Sequence, residues 1–353
     1  MQITHCEVIP KKLSLRQPVQ MARQEKIESI MAIYVRLETL DRRNAWGCAV
    51  THPSLTGENT EDVLNAAQVC AQRATDLHPT NLEYSLAELM PYTQDFPAVK
   101  CAFDLAFYDL LGLAAGMPLY RLLGGYRNRI QTSVTIPICG VRDSVQIAEQ
   151  RAQAGFRMFK IKGGVDPQED VQRVRAIHRQ MSNHHLRLDA DGGYSVRDAL
   201  AVATQLKDIL EMIEQPVPED DLDGLCEVTS KSPVPILADQ SVKGPASALR
   251  LAAERTVDGV CVKVSTCGGL NCARQVDNIA RAARLSTMIG CLVEPGLLIA
   301  AGLTLALSSP NVQYADLDGS LDILNDPTEA GFRLEDGWLV ANDVPGLGCS
   351  VNL

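Results

Sequence analysis

Several things are missing from this 353-residue chain, and each absence closes off a class of function. No long basic run occurs, and the formal net charge is −10, so nucleic acid and an anionic membrane surface are poor partners. No apolar stretch approaches the length that spans a bilayer. The opening "MQITHCEVIPKKLSLRQP" lacks a basic head followed by an apolar core, so no secretory leader is expected. No G-x-G-x-x-G is present, which disfavours a doubly wound sheet with a phosphate-binding turn. The eleven cysteines are scattered, and Cys267 and Cys272 have no second pair at zinc spacing. Most lie in apolar runs such as "GVCVKV" and "MIGCLV", and they read as reduced core residues of a cytoplasmic protein.

What is present is a repeat. From about Gln131, β-rich runs recur at "QTSVTIPI", "FKIK", "LRLDA", "MIEQP", "PILADQ", "GVCVKV", "STMIGC" and "VQYADLDG", with helical signals in most of the gaps. "DPQEDVQRVRAIHRQM" offers Asp166 as N-cap and Pro167 at the first helical position. "SVRDALAVATQLKDIL" opens with Ser195 and Asp198 at capping-box spacing. Eight strands alternating with helices predict an α/β fold, a (β/α)₈ TIM-type barrel over residues 126–320. Residues 1–125 read as strands followed by helices, an α+β capping domain that carries specificity loops. Residues 321–353 are too poor in apolar side chains to stand alone and are expected to return to that first domain.

Charges recur where barrel strands end, which is where such barrels place their active sites. Lys160 to Asp189 is 29 residues, Asp189 to Glu214 is 25, Glu214 to Asp239 is 25, and Asp239 to Lys263 is 24. Any one of these carboxylates could merely cap the next helix. Three of them on consecutive strands at one level would repel unless a cation joined them. Oxygen donors without a nearby His or Cys suit Mg²⁺, with Asp189, Glu214 and Asp239 as ligands. In "FRMFKIKGG", alternation puts Lys160 and Lys162 on one face and Phe159 and Ile161 on the other. The two lysines then face the barrel mouth beside the metal site, and Lys263 faces them from the opposite side.

These residues resemble the enolase superfamily, in its muconate-lactonizing subgroup, over nearly the whole chain. "CAFDLAFYDLLGLAAGMPLYRLLGG", "EQPVPEDDLDGL" and the C-terminal "PGLG" are similar to family signatures. None of the six histidines sits at a strand end, which disfavours the mandelate-racemase-like subgroup. "YADLDG" resembles the Asp-x-Asp of dipeptide epimerases of the L-Ala-D/L-Glu type, and implies that Asp316 and Asp318 hold a substrate ammonium group. The resemblance implies Mg²⁺-dependent inversion of the C-terminal residue of an L-Ala-L-Xaa dipeptide. Lys162 and Lys263 would serve opposite faces, and Lys160 would touch the substrate carboxylate. Thr135 and Glu294 are implied as further substrate contacts. Either lysine must be neutral to act as a base, so its pKa is expected to fall toward neutrality.

The chain departs from the family in several places. Gln240 stands where the family usually has Glu after the third ligand, which should weaken the charge network near Lys263. Pro295 follows Glu294 where Ser or Thr is usual. In the first-domain loops, Cys48 replaces a usual Glu, and Gln24 stands where acid-selective members place Arg, with Arg23 next to it. The dipeptide side chain is therefore open. Other readings are a cycloisomerase, o-succinylbenzoate synthase or N-succinylamino-acid racemase sharing the same metal and lysines, a Schiff-base lyase, and a non-catalytic ligand-binding descendant. Many barrels of this family form homo-oligomers, and the sequence marks no interface.

Overall fold

A computed structural model describes residues 2–19 and 26–353. The chain opens with a three-stranded antiparallel sheet of β1 (Ile3–Val19), β2 (Ile27–Thr39) and β3 (Asn44–Thr51). Helices α1 (Pro53–Thr56), α2 (Thr60–Ala74), α3 (Leu82–Thr93), α4 (Pro97–Ala115) and α5 (Leu119–Leu122) follow, then a short strand β4 (Arg129–Gln131). The segment "GCAV", read from sequence as loop, is instead part of β3, and Cys48 there is fully buried. Its residues are small and buried together on both faces, so no alternation betrays the strand.

Helix α4 is the centre of this first unit. It is apolar nearly all round and buried on nearly every side, as such a helix must be. Pro97 starts it, and Gly116, in the left-handed region at φ 64°, ends it. Gly47 of β3 lets it pack, because a side chain there would collide with the Ala102 carbonyl.

Eight parallel strands then alternate with seven helices: β5 (Val134–Ile136), α6 (Val141–Gln153), β6 (Met158–Lys162), α7 (Pro167–Gln180), β7 (His185–Asp189) and α8 (Val196–Leu206), then β8 (Leu210–Glu214), α9 (Leu222–Lys231), β9 (Ile236–Ala238), α10 (Pro245–Glu254), β10 (Gly259–Lys263), α11 (Leu270–Ala283), β11 (Ser286–Gly290), α12 (Gly296–Ser308) and β12 (Val312–Ala315). A bridge between Thr132 and Ala315 joins the two ends of the sheet, with the Ser133 N–H donating to the Ala315 carbonyl at 3.0 Å. This is the expected (β/α)₈-type barrel, preceded by an α+β unit. The expected caps form: Asp166 accepts from the N–H groups of Gln168 and Glu169, and Ser195 from that of Asp198. Most of the apolar core lies between the barrel wall and the helices. A smaller plug of Met212, Leu237, Cys261 and Met288 fills the barrel, and the buried Arg187 guanidinium lies 4.9 Å from the Tyr314 ring.

After β12 the chain does not form an eighth helix among the described residues. Residues 322–325 run beside β1, where the Arg16 N–H donates to Asp322 and the Leu324 N–H to Ser14. Strands β13 (Thr328–Glu329), β14 (Phe332–Glu335), β15 (Trp338–Ala341) and β16 (Ser350–Val351) follow, with β15 pairing both β14 and β4.

Two buried carboxylates of α4 tie these parts together. Asp104 accepts from the N–H groups of Leu270 (2.6 Å) and Asn271 (3.2 Å), capping α11 from outside its own segment. Asp109 accepts from Trp46 (2.9 Å) on β3 and from Leu347 (2.7 Å) near the C-terminus. Burial pushes Asp104 up to about 7 and Asp109 up to about 6, against the opposing effect of those N–H groups. A carboxyl raised on folding binds a proton that the unfolded chain has already lost, so its contribution to stability falls as pH rises through that window. Wild-type Tm measured relative to Asp104→Asn should therefore improve by a few degrees as pH falls from about 8 to about 5. A pH-independent difference would contradict this origin.

Candidate active site

The barrel register sets Lys162 beside Asp189 and Asp189 beside Glu214, so three charged strand ends share one level. Lys160 lies one layer deeper, beside Thr135 and Arg187. It is 4% exposed, and its ammonium contacts Asp316, with Asp189 at 3.3 Å and Glu214 at 3.9 Å. Lys160 therefore lies inside the barrel among carboxylates, below its rim. Lys162 donates to Asp189 at 2.8 Å, and Lys263, four strands round the barrel, donates to Asp239 at 2.5 Å. The two lysines enter the site from opposite walls.

Asp316 accepts from Lys160 and from the Ser133 hydroxyl at 2.7 Å. Asp318 accepts from the Thr135 N–H at 2.7 Å and is approached by the Cys291 thiol at 3.8 Å. Burial, reinforced by the neighbouring Asp316, pushes the Asp318 carboxyl upward. Glu294 is buried, accepts from the Ser265 hydroxyl at 3.1 Å, and is pushed up to about 8 by burial. Ser265 lies two residues beyond Lys263, which brings Glu294 to that side of the site. Arg23 and Gln24 lie outside the described residues.

The donors fit a hard dication. Glu214 and Asp239 have ligand oxygens within 4.8 Å of each other, and Glu214 Oε1 is buried without a hydrogen-bond partner among the described residues. An orphaned buried carboxylate oxygen is costly, and a bound cation would satisfy it. Burial and the Asp189 charge push Glu214 up to about 8. Asp189 does not fall into this tight group, because its carboxylate leans toward Lys162 and Lys160. The Cys261 sulfur does fall into it, although burial keeps the thiol well above its ordinary pKa and hence protonated.

The expectation that the lysines drift toward neutrality is not met by the chain's own charges. Burial pulls Lys162 down, but Asp189 and Asp191 outweigh both burial and the smaller repulsion from Lys160, and hold it above its ordinary value. Burial likewise opposes Lys263, and Asp239 leads the groups that hold it up. In the same way burial would raise Asp189, while Lys162 and Lys160 hold it well below the usual carboxylate range. A dication among the carboxylates is the charge that would reverse the direction for the lysines.

Several residues of the site escaped the sequence reading. Asp191 accepts from Lys162 at 2.9 Å, and inward alternation continued two residues past Asp189 could have found it. Gln240, expected in the charge network near Lys263, donates through its amide to Asp191 at 3.1 Å. Gln215 is fully engaged: its oxygen accepts from the N–H groups of Asp239 and Ser241, and its nitrogen donates to Val217 and the Ser241 hydroxyl. It thereby fixes the β8 end against the β9 end. Buried Arg173 of α7 donates to the Lys162 carbonyl at 2.7 Å, the Pro137 carbonyl at 2.7 Å and Asp170 at 3.0 Å, pinning the end of β6. Gln215 lies in "EQPVPEDDLDGL", which resembles a family signature but does not name its partners, and no motif marks Arg173.

Comparison with known proteins gives the same frame. Residues 143–353 match the family model described as enolase C-terminal domain-like. The L-Lys-D/L-Arg epimerase of Methylococcus capsulatus is 35% identical, over 99% of this chain and 99% of its own. The dipeptide epimerase of Enterococcus faecalis, solved with Mg and L-Leu-L-Tyr, superposes with TM-score 0.95 at 34% identity, covering 99% of this chain and 100% of that one. The L-Ala-D/L-Glu epimerase of Bacillus subtilis, solved as a substrate-liganded complex, gives 0.96 at 28% identity over 100% of both chains. The chain belongs to the enolase superfamily, in the branch that contains the dipeptide epimerases.

Proposed function

We propose that this protein is a Mg²⁺-dependent dipeptide epimerase that inverts the C-terminal residue of an L-Ala-L-Xaa-type substrate by 1,1-proton transfer. The observation that carries the reading is the opposition of Lys162 and Lys263 across a cluster of buried carboxylates, with Asp316 and Asp318 at the end of a third wall. Inverting one carbon requires a proton acceptor on one face and a proton donor on the other, and two lysines four strands apart meet that requirement.

Each residue has a role in this reading. The α C–H bond breaks toward one lysine Nζ, which must be neutral to take the proton, and the electron pair moves into the adjoining carboxylate. The other lysine, as ammonium, returns a proton to the opposite face. Asp189, Glu214 and Asp239 would hold the cation, which supplies positive charge for the developing negative charge and offsets the field that keeps the lysines protonated. Lys160 contributes a fixed positive charge from beneath, and Asp316 and Asp318 present negative charge for a substrate ammonium. Glu294 and Thr135 line the same region. Arg23 and Gln24 are proposed as specificity residues. The barrel with its mouth is assigned to residues 126–320, the cap to 1–125, and 321–353 to a segment that returns to the cap.

The relatives named above act on dipeptides with basic, apolar and acidic second residues, so the Xaa side chain is the open variable. No helix is long and apolar enough to cross a membrane among the described residues. We place the enzyme in the cytoplasm on its unpaired, mostly buried cysteines.

Incubation with Mg²⁺ and pooled L-Ala-L-Xaa dipeptides in D₂O should give a one-unit mass gain in a subset of them. Lys162→Ala and Lys263→Ala should each slow epimerisation by about 10²–10⁴-fold. Exchange in no pool would turn the search to succinylated amino acids and cycloisomerase substrates.

Asp316→Ala and Asp318→Ala should each cost about 10–100-fold in kcat/KM on dipeptides. An N-succinylated amino acid offers no ammonium, so retained dipeptide turnover in these variants would argue for that alternative substrate.

Mg²⁺ at about 100 times its Kd should add roughly 2.7 kcal/mol of stability to the wild type. Glu214→Gln and Asp239→Asn should lose that metal-dependent rise in Tm, and its survival in both would move the cation elsewhere.

A further inference from the structure

Two side chains from non-adjacent strand ends meet over the site. Asp191 lies two residues beyond β7, and Gln240 lies two beyond β9. Lys162 Nζ donates to both oxygens of Asp191, at 2.9 and 3.0 Å, while also donating to Asp189 at 2.8 Å. Gln240 Nε2 donates to Asp191 Oδ1 at 3.1 Å. The Asp191 carboxylate therefore accepts charged donors on one side and a neutral amide on the other.

The backbone is committed to this arrangement. Asp191 has φ 45°, in the left-handed region that Asp tolerates better than most side chains, and its N–H donates to Asp189 Oδ1 at 3.1 Å. The strain is held in place by contacts on both sides, which is the circumstance in which such conformations persist. Gln240 Oε1 is buried with no hydrogen-bond partner among the described residues. The amide is thus oriented by its bond to Asp191, since the flipped rotamer would set one oxygen against another. A glutamate at position 240 would place two carboxylates in contact.

We propose that Asp191 is a positioning residue for Lys162, and that positions 191 and 240 together carry one carboxylate, whose angle is fixed by the amide of its partner. The proposal rests on the reading of Lys162 as one of the two acid–base lysines. It accounts for the amide at 240, where the resemblance led to an expectation of Glu. Asn at 191 with Glu at 240 would keep the bond with donor and acceptor exchanged, and Asn Oδ1 would still accept from Lys162.

The test uses Asp191→Asn, Gln240→Glu, the double variant, and Lys162→Met alone and combined with Asp191→Asn. In thermal unfolding, Gln240→Glu should lower Tm by a few degrees, and adding Asp191→Asn should restore most of the loss. The Lys162→Met and Asp191→Asn pair should likewise be non-additive. Both cycles are read without substrate, so they decide the two contacts even if the protein turns over no dipeptide, an outcome the wild type alone would reveal. With an accepted dipeptide, the epimer whose α-exchange is lost in Lys162→Met defines the Lys162 face. Asp191→Asn and Gln240→Glu should each slow exchange on that face by about 10–100-fold, with KM little changed. Exchange on the opposite face should move less than about 3-fold, and the double variant should return to within about 5-fold of wild type. Additive Tm losses, equal slowing of both faces, or a double variant worse than either single one would each overturn the proposal.

Discussion

The ammonium of Lys160 is almost completely dry and lies among Asp316, Asp189 and Glu214, and the rest of the site is arranged around that fact. A buried charge costs several kcal/mol, roughly, unless its partners are held in place, and here they arrive from three other strands of a closed barrel. The closure is therefore an electrostatic requirement as well as a packing one. If the bridge between Thr132 and Ala315 were absent, Ser133 and Asp316 would not be held against each other. Lys160 would then lose its nearest counter-charge.

Fixing so many charges at one level leaves a surplus of negative charge. Glu214 and Glu294 are pushed toward the neutral form by burial, and Glu214 keeps an oxygen that none of the described residues satisfies. The lysines meanwhile are held protonated. Both features point the same way, to a site whose working charge balance includes a cation that the carboxylates bind. The protein contributes geometry: Gln215 locks two carboxylate-bearing strand ends to each other, and Arg173 locks the end that carries Lys162.

The first unit is tied to the barrel through α4. Asp104 of α4 caps α11, and the turn before α11 begins at Lys263, so the first unit and the wall that carries Lys263 share a hydrogen-bonded joint. Asp109 joins the same helix to β3 and to the C-terminal segment. Neither contact was legible in "CAFDLAFYDLL", because an acidic residue in an apolar helix does not name its partner. The strand β3 was hidden for a related reason: buried on both faces, it has no period.

The sequence by itself determined the eight strands, the helix caps Asp166 and Ser195, and the polar residues at the strand ends, because each is written in local periodicity or at a fixed offset from it. Lys160, Lys162, Asp189, Glu214, Asp239 and Lys263 could be found from spacing alone. Which of these charges touch was decided only by the tertiary structure. Asp189 leans to the lysines, Cys261 comes up beside Glu214 and Asp239, and the Gln240 amide meets Asp191. The physical reason is that pairing depends on distances across the barrel between residues far apart in sequence. Lysine protonation then follows from the sum of those contacts, which no local pattern encodes.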